Sequence, residues 1–223
     1  PKPEMGQLLV KVKASAINRT DIMTRENRQL PEPYPILGIE VAGVVVENQD
    51  SSNNQLVPGT RVAGLVNHGG YAEYVVMPAD RAIRIPDNMS FEEAAAIPEV
   101  FLTAYQTLYW LGELESEETV LIHAGASGVG TAAIQLAKKM TKAKVIVTAG
   151  STEKLQFCKE LGADKLINYK EEEFDQLVLE YTEQKGVDLI LEFVGASYWE
   201  KNLNSLKTDG RWVVIGVLGG AVV

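Results

Sequence analysis

The segment Val120-Leu-Ile-His-Ala-Gly-Ala-Ser-Gly-Val-Gly130 restricts the fold of this 223-residue chain more than any other stretch. An apolar run enters a glycine-rich turn, and Thr131-Ala-Ala-Ile-Gln-Leu-Ala137 leaves it with the composition of a helix. A strand that turns through glycines into a helix brings unpaired N–H groups and bare backbone to one point, which suits a pyrophosphate. A glycine motif alone is weak evidence. Here a second apolar run, 144–148, stands at βαβ distance. The spacing Ala124-x-x-Ser127-Gly128-x-Gly130 departs from G-x-G-x-x-G, so Ala126, Ser127, Gly128, Val129 and Gly130 are expected to share the phosphate between backbone and the Ser127 hydroxyl. The competing reading is a structural turn that packs a helix on a sheet.

From residue 119 onward strands and helices alternate. Strands are expected at 120–123, 144–148, 165–168, 187–192 and 211–217, and helices at about 128–140, 151–161, 171–184 and 197–207. Gly162 and Gly186 stand where helices end. Strands separated by helices imply βαβ units and a parallel sheet, and the runs Val120-Leu-Ile122 and Val145-Ile-Val147 suit burial on both faces. Before residue 90 the rhythm differs. Short strands are expected at 8–16, 41–47, 61–66, 71–77 and 82–85, with a polar loop over 48–54 and a turn at Pro58-Gly59. That pattern suggests a small barrel or sandwich. One helix is expected from Asn18 to about Glu26, with Thr20 and Asp21 in its first turn. Ser90-Phe-Glu-Glu93 forms a capping box, and a second helix runs from Pro98 to Leu111 and stops at Gly112. The expected domains are 1–97 and 98–223.

The second Rossmann-type strand ends in Thr148-Ala-Gly-Ser151. Sites for NAD usually place Asp or Glu there to hold the ribose hydroxyls. Here no acid would repel a 2′-phosphate, Ser151 can donate a hydrogen bond, and Lys154 follows one helical turn later. Gly150, Ser151 and Lys154 therefore favour NADPH over NADH. Lys154 taken alone reads as an exposed helix lysine.

Net charge is −9, and lysines alternate with glutamates along the helices, a solvated pattern that argues against nucleic-acid binding. No apolar run reaches the roughly 18–20 residues of a membrane span, and the N-terminus does not read as a signal peptide. A cytoplasmic protein is expected. The single cysteine, Cys158, excludes an intrachain disulfide and a four-cysteine metal site. The two histidines, His68 and His123, lack ligand spacing and read as structural or solvent-facing, so no metal site is expected. Without a Lewis acid to stabilise an alkoxide, the acceptor must itself be electrophilic: a quinone, or an activated alkene or carbonyl.

The chain resembles the zinc-free quinone oxidoreductase branch of the medium-chain dehydrogenase/reductase superfamily, most of all the tumour-suppressor-inducible quinone oxidoreductases within it. The resemblance is carried by Ala16-Ile-Asn-Arg-Thr-Asp21, Leu37-Gly-Ile-Glu-Val-Ala-Gly43, Gly70-Tyr-Ala-Glu-Tyr74, Leu102-Thr-Ala-Tyr105 and His123–Gln135. It continues through Thr148-Ala-Gly-Ser151, Ile167-Asn-Tyr169, Ser197-Tyr-Trp-Glu-Lys201 and Asp209-Gly-Arg-Trp212. It implies an α/β fold, a GroES-like β-barrel domain followed by a Rossmann-type doubly wound parallel sheet, with the active site in a cleft between them. Zinc-using cousins hold a cysteine where this chain has Asn18 and a histidine where it has Ile39. The resemblance further implies that Asn18 and Asp21 line the substrate site. It places Thr103, Ser127, Val194, Gly195, Val217 and Gly219 near the nicotinamide and phosphates, and Lys154 and Tyr169 near the 2′-phosphate. For Asn18 and Asp21 the bland alternative is helix capping, and for Tyr169 packing at the sheet edge.

Relatives often show Arg-x-Gly-x-Tyr before a proline stretch. Arg25-Glu-Asn-Arg-Gln-Leu30-Pro31 lacks that glycine and tyrosine, and Tyr34 is out of register. Family chains also begin earlier and run further, so this fold is expected to be cut short at both ends. A homodimer through the last Rossmann strand is implied. The leading reading is NADPH:quinone reduction. An NADPH-dependent enone or alkenal reductase, and a non-catalytic NADPH-binding protein, remain beside it.

Overall fold

The computed structural model describes residues 1–26, 35–50 and 55–222. The segment 27–31 and Tyr34, where the family's tyrosine motif would fall, and residues 51–54 of the expected polar loop lie outside the described residues. The chain divides into two compact units, Pro1–Glu99 and Val100–Val223. No helix among the described residues is long and apolar enough to cross a membrane.

In the first unit, β1 (Gln7–Ser15), α1 (Arg19–Glu26), β2 (Glu40–Asn48), β3 (Arg61–Leu65), β4 (Tyr74–Pro78), β5 (Ile83–Arg84) and α2 (Phe91–Ala95) follow one another. The strands form an antiparallel sheet in the order β4-β1-β2-β3-β5. Alternation decides which face is buried. Leu8 and Val10 point into a core with Val41, Val45, Val62, Val75 and Met77, while Lys11 and Lys13, on the alternate positions that follow, are exposed. On a second cluster, α2 packs Ala94 and Ala95 against Ala42, Ala63 and Ile85. Its capping box forms as expected: Ser90 Oγ accepts from Glu93 N–H at 3.1 Å, and Glu93 returns a carboxylate to Ser90 N–H at 2.8 Å. The strand expected at 71–77 begins three residues later, at Tyr74. Tyr71 and Ala72 instead turn back, with Tyr71 N–H on Leu37 O and Ala72 N–H on Gly69 O.

The second unit holds α3 (Pro98–Tyr105) from Val100 onward, β6 (Thr119–Ile122), α4 (Gly128–Leu136), β7 (Lys144–Ala149), α5 (Thr152–Glu160), β8 (Lys165–Asn168), α6 (Phe174–Tyr181), β9 (Val187–Glu192), α7 (Trp199–Ser205) and β10 (Leu206–Val214). All pairs in its sheet are parallel, in the order β10-β9-β6-β7-β8. All four residues of β6 are buried because both faces are covered. Val120 and Ile122 face a cluster with α4 and α5, and Leu121 faces one with α6. The helix expected from 98 to 111 is one run whose end, Gln106–Leu111, widens into a π turn; Ala137–Thr141 does the same after α4.

Three elements differ from expectation, and one of them, the helix expected over 197–207, covers only Trp199–Ser205. The helix expected over 171–184 covers only Phe174–Tyr181. Glu172 folds back onto Asn168 N–H at 2.8 Å, and Glu183 and Gln184 take left-handed conformations, φ 54 and 64. Gly186 is therefore no helix cap, whereas Gly162, φ +111, does follow α5. The strand expected at 211–217 starts at Leu206, which already pairs with Val187. An irregularity containing Asp209, φ 61, then intervenes before Arg211 joins Leu189. The strand ends at Val214, because Ile215 and Gly216 N–H both converge on Glu192 O.

Candidate functional site

At the end of β6, Ala124 adopts φ 48 and the chain reverses, with Gly125 N–H bonded to Thr148 O at 2.9 Å. Ser127 then caps α4, its Oγ accepting from Gly130 N–H at 3.1 Å. The next amides, on Gly128 and Val129, belong to the first helical turn and have no partner within the helix. An added Cβ at Gly130 would lie 2.5 Å from Ala124 O, so the turn closes only around glycine. Both readings of the motif thus meet here. Gly130 makes the tight packing, and that packing leaves a bare helix N-terminus that fits a phosphate.

A second capped terminus stands beside the first. Ser151 caps α5 and accepts from Lys154 N–H at 3.4 Å. Lys154 is exposed, with no ion pair among the described residues. An added Cβ at Gly150 would lie 2.8 Å from the Tyr169 hydroxyl and 3.1 Å from Lys170 Cε. Gly150, Ser151, Lys154 and Tyr169 therefore converge on the ends of β7 and β8. Lys170 joins them as a second cation that the sequence reading passed over, since its nearness to Gly150 comes from strand pairing.

The loops after β9 and β10 bring together Val194, Gly195, Val217 and Gly219. Gly219 N–H reaches Val194 O at 2.5 Å, and Ala196 N–H reaches Gly220 O at 2.9 Å. Gly195 has φ +91, and a Cβ there would lie 2.4 Å from Gly220 O. From beneath, Glu192 Oε1 accepts from the amides of Val194 and Gly195. Thr103 lies half-buried in α3, its carbonyl accepting from Thr107 Oγ1 at 2.8 Å.

In the first unit Asp21 is buried, 4% exposed, and its carboxylate is fully engaged. Oδ1 accepts from Gly38 N–H at 2.9 Å; Oδ2 accepts from Asn18 N–H and the Tyr71 hydroxyl, both at 2.9 Å. Burial, then the Asp21 bond, pushes the Tyr71 pKa up to about 12. Asn18 stands just before α1 and donates from Nδ2 to Glu40 Oε1 at 2.7 Å. Glu40 is 1% exposed, and burial raises its carboxyl above the usual range despite bonds from Glu99 N–H and Asn18. Sequence reasoning placed Asn18 and Asp21 but missed Glu40 and Tyr71 as their partners, since both lie far along the chain. Among the described residues no group of three or more His, Cys, Asp or Glu could hold a metal. His68 is exposed, His123 fully buried and Cys158 buried.

Residues 4–87 match the model of the alcohol dehydrogenase GroES-like domain, and residues 128–223 match that of zinc-binding dehydrogenase. The human synaptic vesicle membrane protein VAT-1 homolog is 35% identical over 220 residues, covering 97% of this chain and 55% of its own. Mouse prostaglandin reductase-3 is 37% identical over 222 residues, covering 99% of this chain and 58% of its own. The chain spans about half the length of the curated relatives it matches. The crystal structure of Escherichia coli quinone oxidoreductase complexed with NADPH superposes with a TM-score of 0.90 at 35% identity, over 100% of this chain and 68% of that one.

Proposed function

The chain belongs to the medium-chain dehydrogenase/reductase superfamily, and on that premise we propose that it is an NADPH-dependent reductase of quinone-like acceptors that works without zinc, within or near the tumour-suppressor-inducible branch. The observation that carries this reading is the pair of capped helix termini. One leaves the amides of Gly128 and Val129 for a pyrophosphate, and the other sets Ser151, Lys154 and Tyr169 at a strand end that holds no acid. A dinucleotide with a 2′-phosphate fits both.

When bound, NADPH supplies the hydride, and the protein's share is placement and electrostatics. Ser151 donates its hydroxyl proton and Lys154 its charge to the 2′-phosphate. Ala126, Ser127, Gly128, Val129 and Gly130 hold the pyrophosphate. Thr103, Val194, Gly195, Val217 and Gly219 shape the surroundings of the nicotinamide. Asn18 keeps one amide N–H beyond its bond to Glu40, and that N–H polarises the acceptor oxygen. Asp21 fixes the start of α1 and hence Asn18. The reduced quinone takes its proton from water. Asn18 and Ile39 at the positions of the zinc ligands in metal-using cousins support the zinc-free assignment. Among the described residues β10 stands at the end of its sheet, and that position supports a homodimer. Similarity to prostaglandin reductase-3 favours a second reading, in which the acceptor is an enone.

The test is loss of absorbance at the reduced-nicotinamide band with NADPH or NADH and a panel of ortho- and para-quinones and enones. Turnover with NADPH and quinones, much slower with NADH, is expected. Lys154→Glu should depress the NADPH rate far more than the NADH rate, and equal losses would remove the 2′-phosphate role. Turnover of enones alone would select the second reading. Saturable NADPH binding with no turnover would make the chain a non-catalytic binder.

A further inference from the structure

Beneath the loop that carries Val194 and Gly195 runs a buried chain of hydrogen bonds used by neither the cofactor reading nor the acceptor reading. Thr148 Oγ1 on β7 lies 2.9 Å from His123 Nδ1, just past the end of β6. His123 Nε2 lies 2.7 Å from Asn202 Oδ1 on α7. Asn202 Nδ2 donates to Glu192 Oε2, at the end of β9, and Glu192 Oε1 accepts from Val194 N–H and from Gly195 N–H, the latter at 3.1 Å. His123, Glu192 and Asn202 are 0% exposed and Thr148 is 1% exposed. The rings of Phe174 and Tyr198 stand edge-on to His123, each at 4.9 Å, and complete its enclosure.

The direction of the chain follows from one end. A carboxylate only accepts, so Asn202 turns its NH2 to Glu192 and its oxygen to His123. His123 must then carry its proton on Nε2, leaving Nδ1 to accept from the Thr148 hydroxyl. Burial holds the imidazole below its ordinary pKa, although the nearby Glu192 charge opposes this, so the neutral ring is the form present. Every donor thus points toward Glu192, and the last two are the amides of the turn that sets Gly195 at φ +91.

We propose that Glu192, Asn202 and His123 are positioning residues for the nicotinamide half of the cofactor, holding the Val194–Gly195 turn and tying it to the strand that leads into Ser151. The proposal rests on the cofactor placement given above. Its consequence is selective: disturbing the chain loosens the nicotinamide end and spares the adenosine end.

Binding of NADPH and of adenosine 2′,5′-bisphosphate, which fills only the adenosine end, is measured on the full chain and its variants. Glu192→Gln keeps an oxygen for the two amides but presents N–H to Asn202. Asn202 must flip, and His123 must move its proton to Nδ1. With only two histidines in the chain, nitrogen NMR of histidine-labelled protein reads this directly, His68→Gln supplying the assignment. The expected result is an Nε2–H tautomer in the parent and Nδ1–H in Glu192→Gln. NADPH affinity falls on the order of tenfold as charge-assisted bonds become neutral, while bisphosphate affinity holds within about twofold. His123→Gln, whose amide N–H can replace Nε2–H, retains NADPH affinity, and His123→Leu loses it as Glu192→Gln does. Equal losses for both ligands would reduce the chain to a fold-supporting network and overturn the proposal. So would unchanged NADPH binding in Glu192→Gln and His123→Leu, or an Nδ1–H tautomer in the parent. A parent that binds neither ligand would sink the cofactor reading and this proposal together. A parent that binds both, with variants that behave otherwise, would sink this proposal alone.

Discussion

Asp21 brings a charge into the interior of its unit and has it met there by three neutral donors: Asn18 N–H, Gly38 N–H and the Tyr71 hydroxyl. Such bonds to an ionised acceptor are strong, and leaving a buried donor unmet costs about 1–3 kcal/mol. Asp21→Asn keeps Oδ1 or an equivalent acceptor but sets an NH2 group against donors on the other side. The variant is expected to lose about 2–3 kcal/mol in urea unfolding. Tyr71, now at about 12, should titrate lower in the ultraviolet, yet stay above its ordinary value because burial is the larger cause of its shift. A variant with full stability and no turnover would instead make Asp21 a catalytic residue. The sequence revealed Asp21's place in the first turn of α1, since capping is a local matter. Its bonds to Gly38 and Tyr71 depend on how distant segments meet, and no periodicity encodes that. The same holds for His123. An isolated histidine at a strand end reads as structural, and only the fold brings Asn202 and Glu192 to it.

At the scale of elements, the parallel strands were the most legible part. The expectations at 165–168 and 187–192 match β8 and β9, where Leu166-Ile167 stands between Lys165 and Asn168, and Leu189-Ile-Leu191 between Asp188 and Glu192. β10 was misread at both ends. Leu206-Lys-Thr-Asp-Gly210 has no strand alternation of its own, and its place in the sheet is set by the pairing of Leu206 with Val187. Arg211 then fixes β10 to the segment before β6. Its guanidinium donates to Glu118 Oε1 at 2.7 Å and Oε2 at 2.5 Å, to Gly112 O at 2.8 Å and to Glu113 O at 3.0 Å. The Arg211 hydrogen bonds hold the Glu118 carboxyl below its usual range. A carboxyl lowered by folding contributes stability that is present above its unfolded value, about 4.5, and is lost as pH falls through the folded one. Arg211→Met is therefore expected to lower stability by about 2 kcal/mol at pH 7. Its deficit against the parent should narrow below about pH 4.5, as seen by urea titrations at stepped pH. A deficit that stays constant down to pH 3 would assign the loss to the two carbonyl bonds and to packing, with no share for the ion pair.

Across the whole molecule two tendencies oppose each other at the proposed dimer edge. Among the described residues β10 is nine residues long, lies at the end of its sheet and leaves Val214 56% exposed. Nearby, Trp199 packs on Trp212 of the same strand and is itself 40% exposed. A terminal strand of that length with apolar neighbours is suited to pairing with a copy of itself. Against this stands a net charge of −9 on each chain, so two copies repel until salt screens them. The Debye length falls from about 10 Å at 0.1 M to about 3 Å at 1 M, and the repulsion falls with it while the strand pairing does not. The expected result in sedimentation velocity is a monomer–dimer equilibrium that shifts toward dimer as salt rises from about 0.05 to 0.5 M. Val214→Lys places a charge on the edge, as natural edge strands do to prevent pairing, and should hold the chain monomeric at every salt concentration. Association that weakens with salt would point to complementary charges and a different surface. Association untouched by Val214→Lys would free β10 of the role.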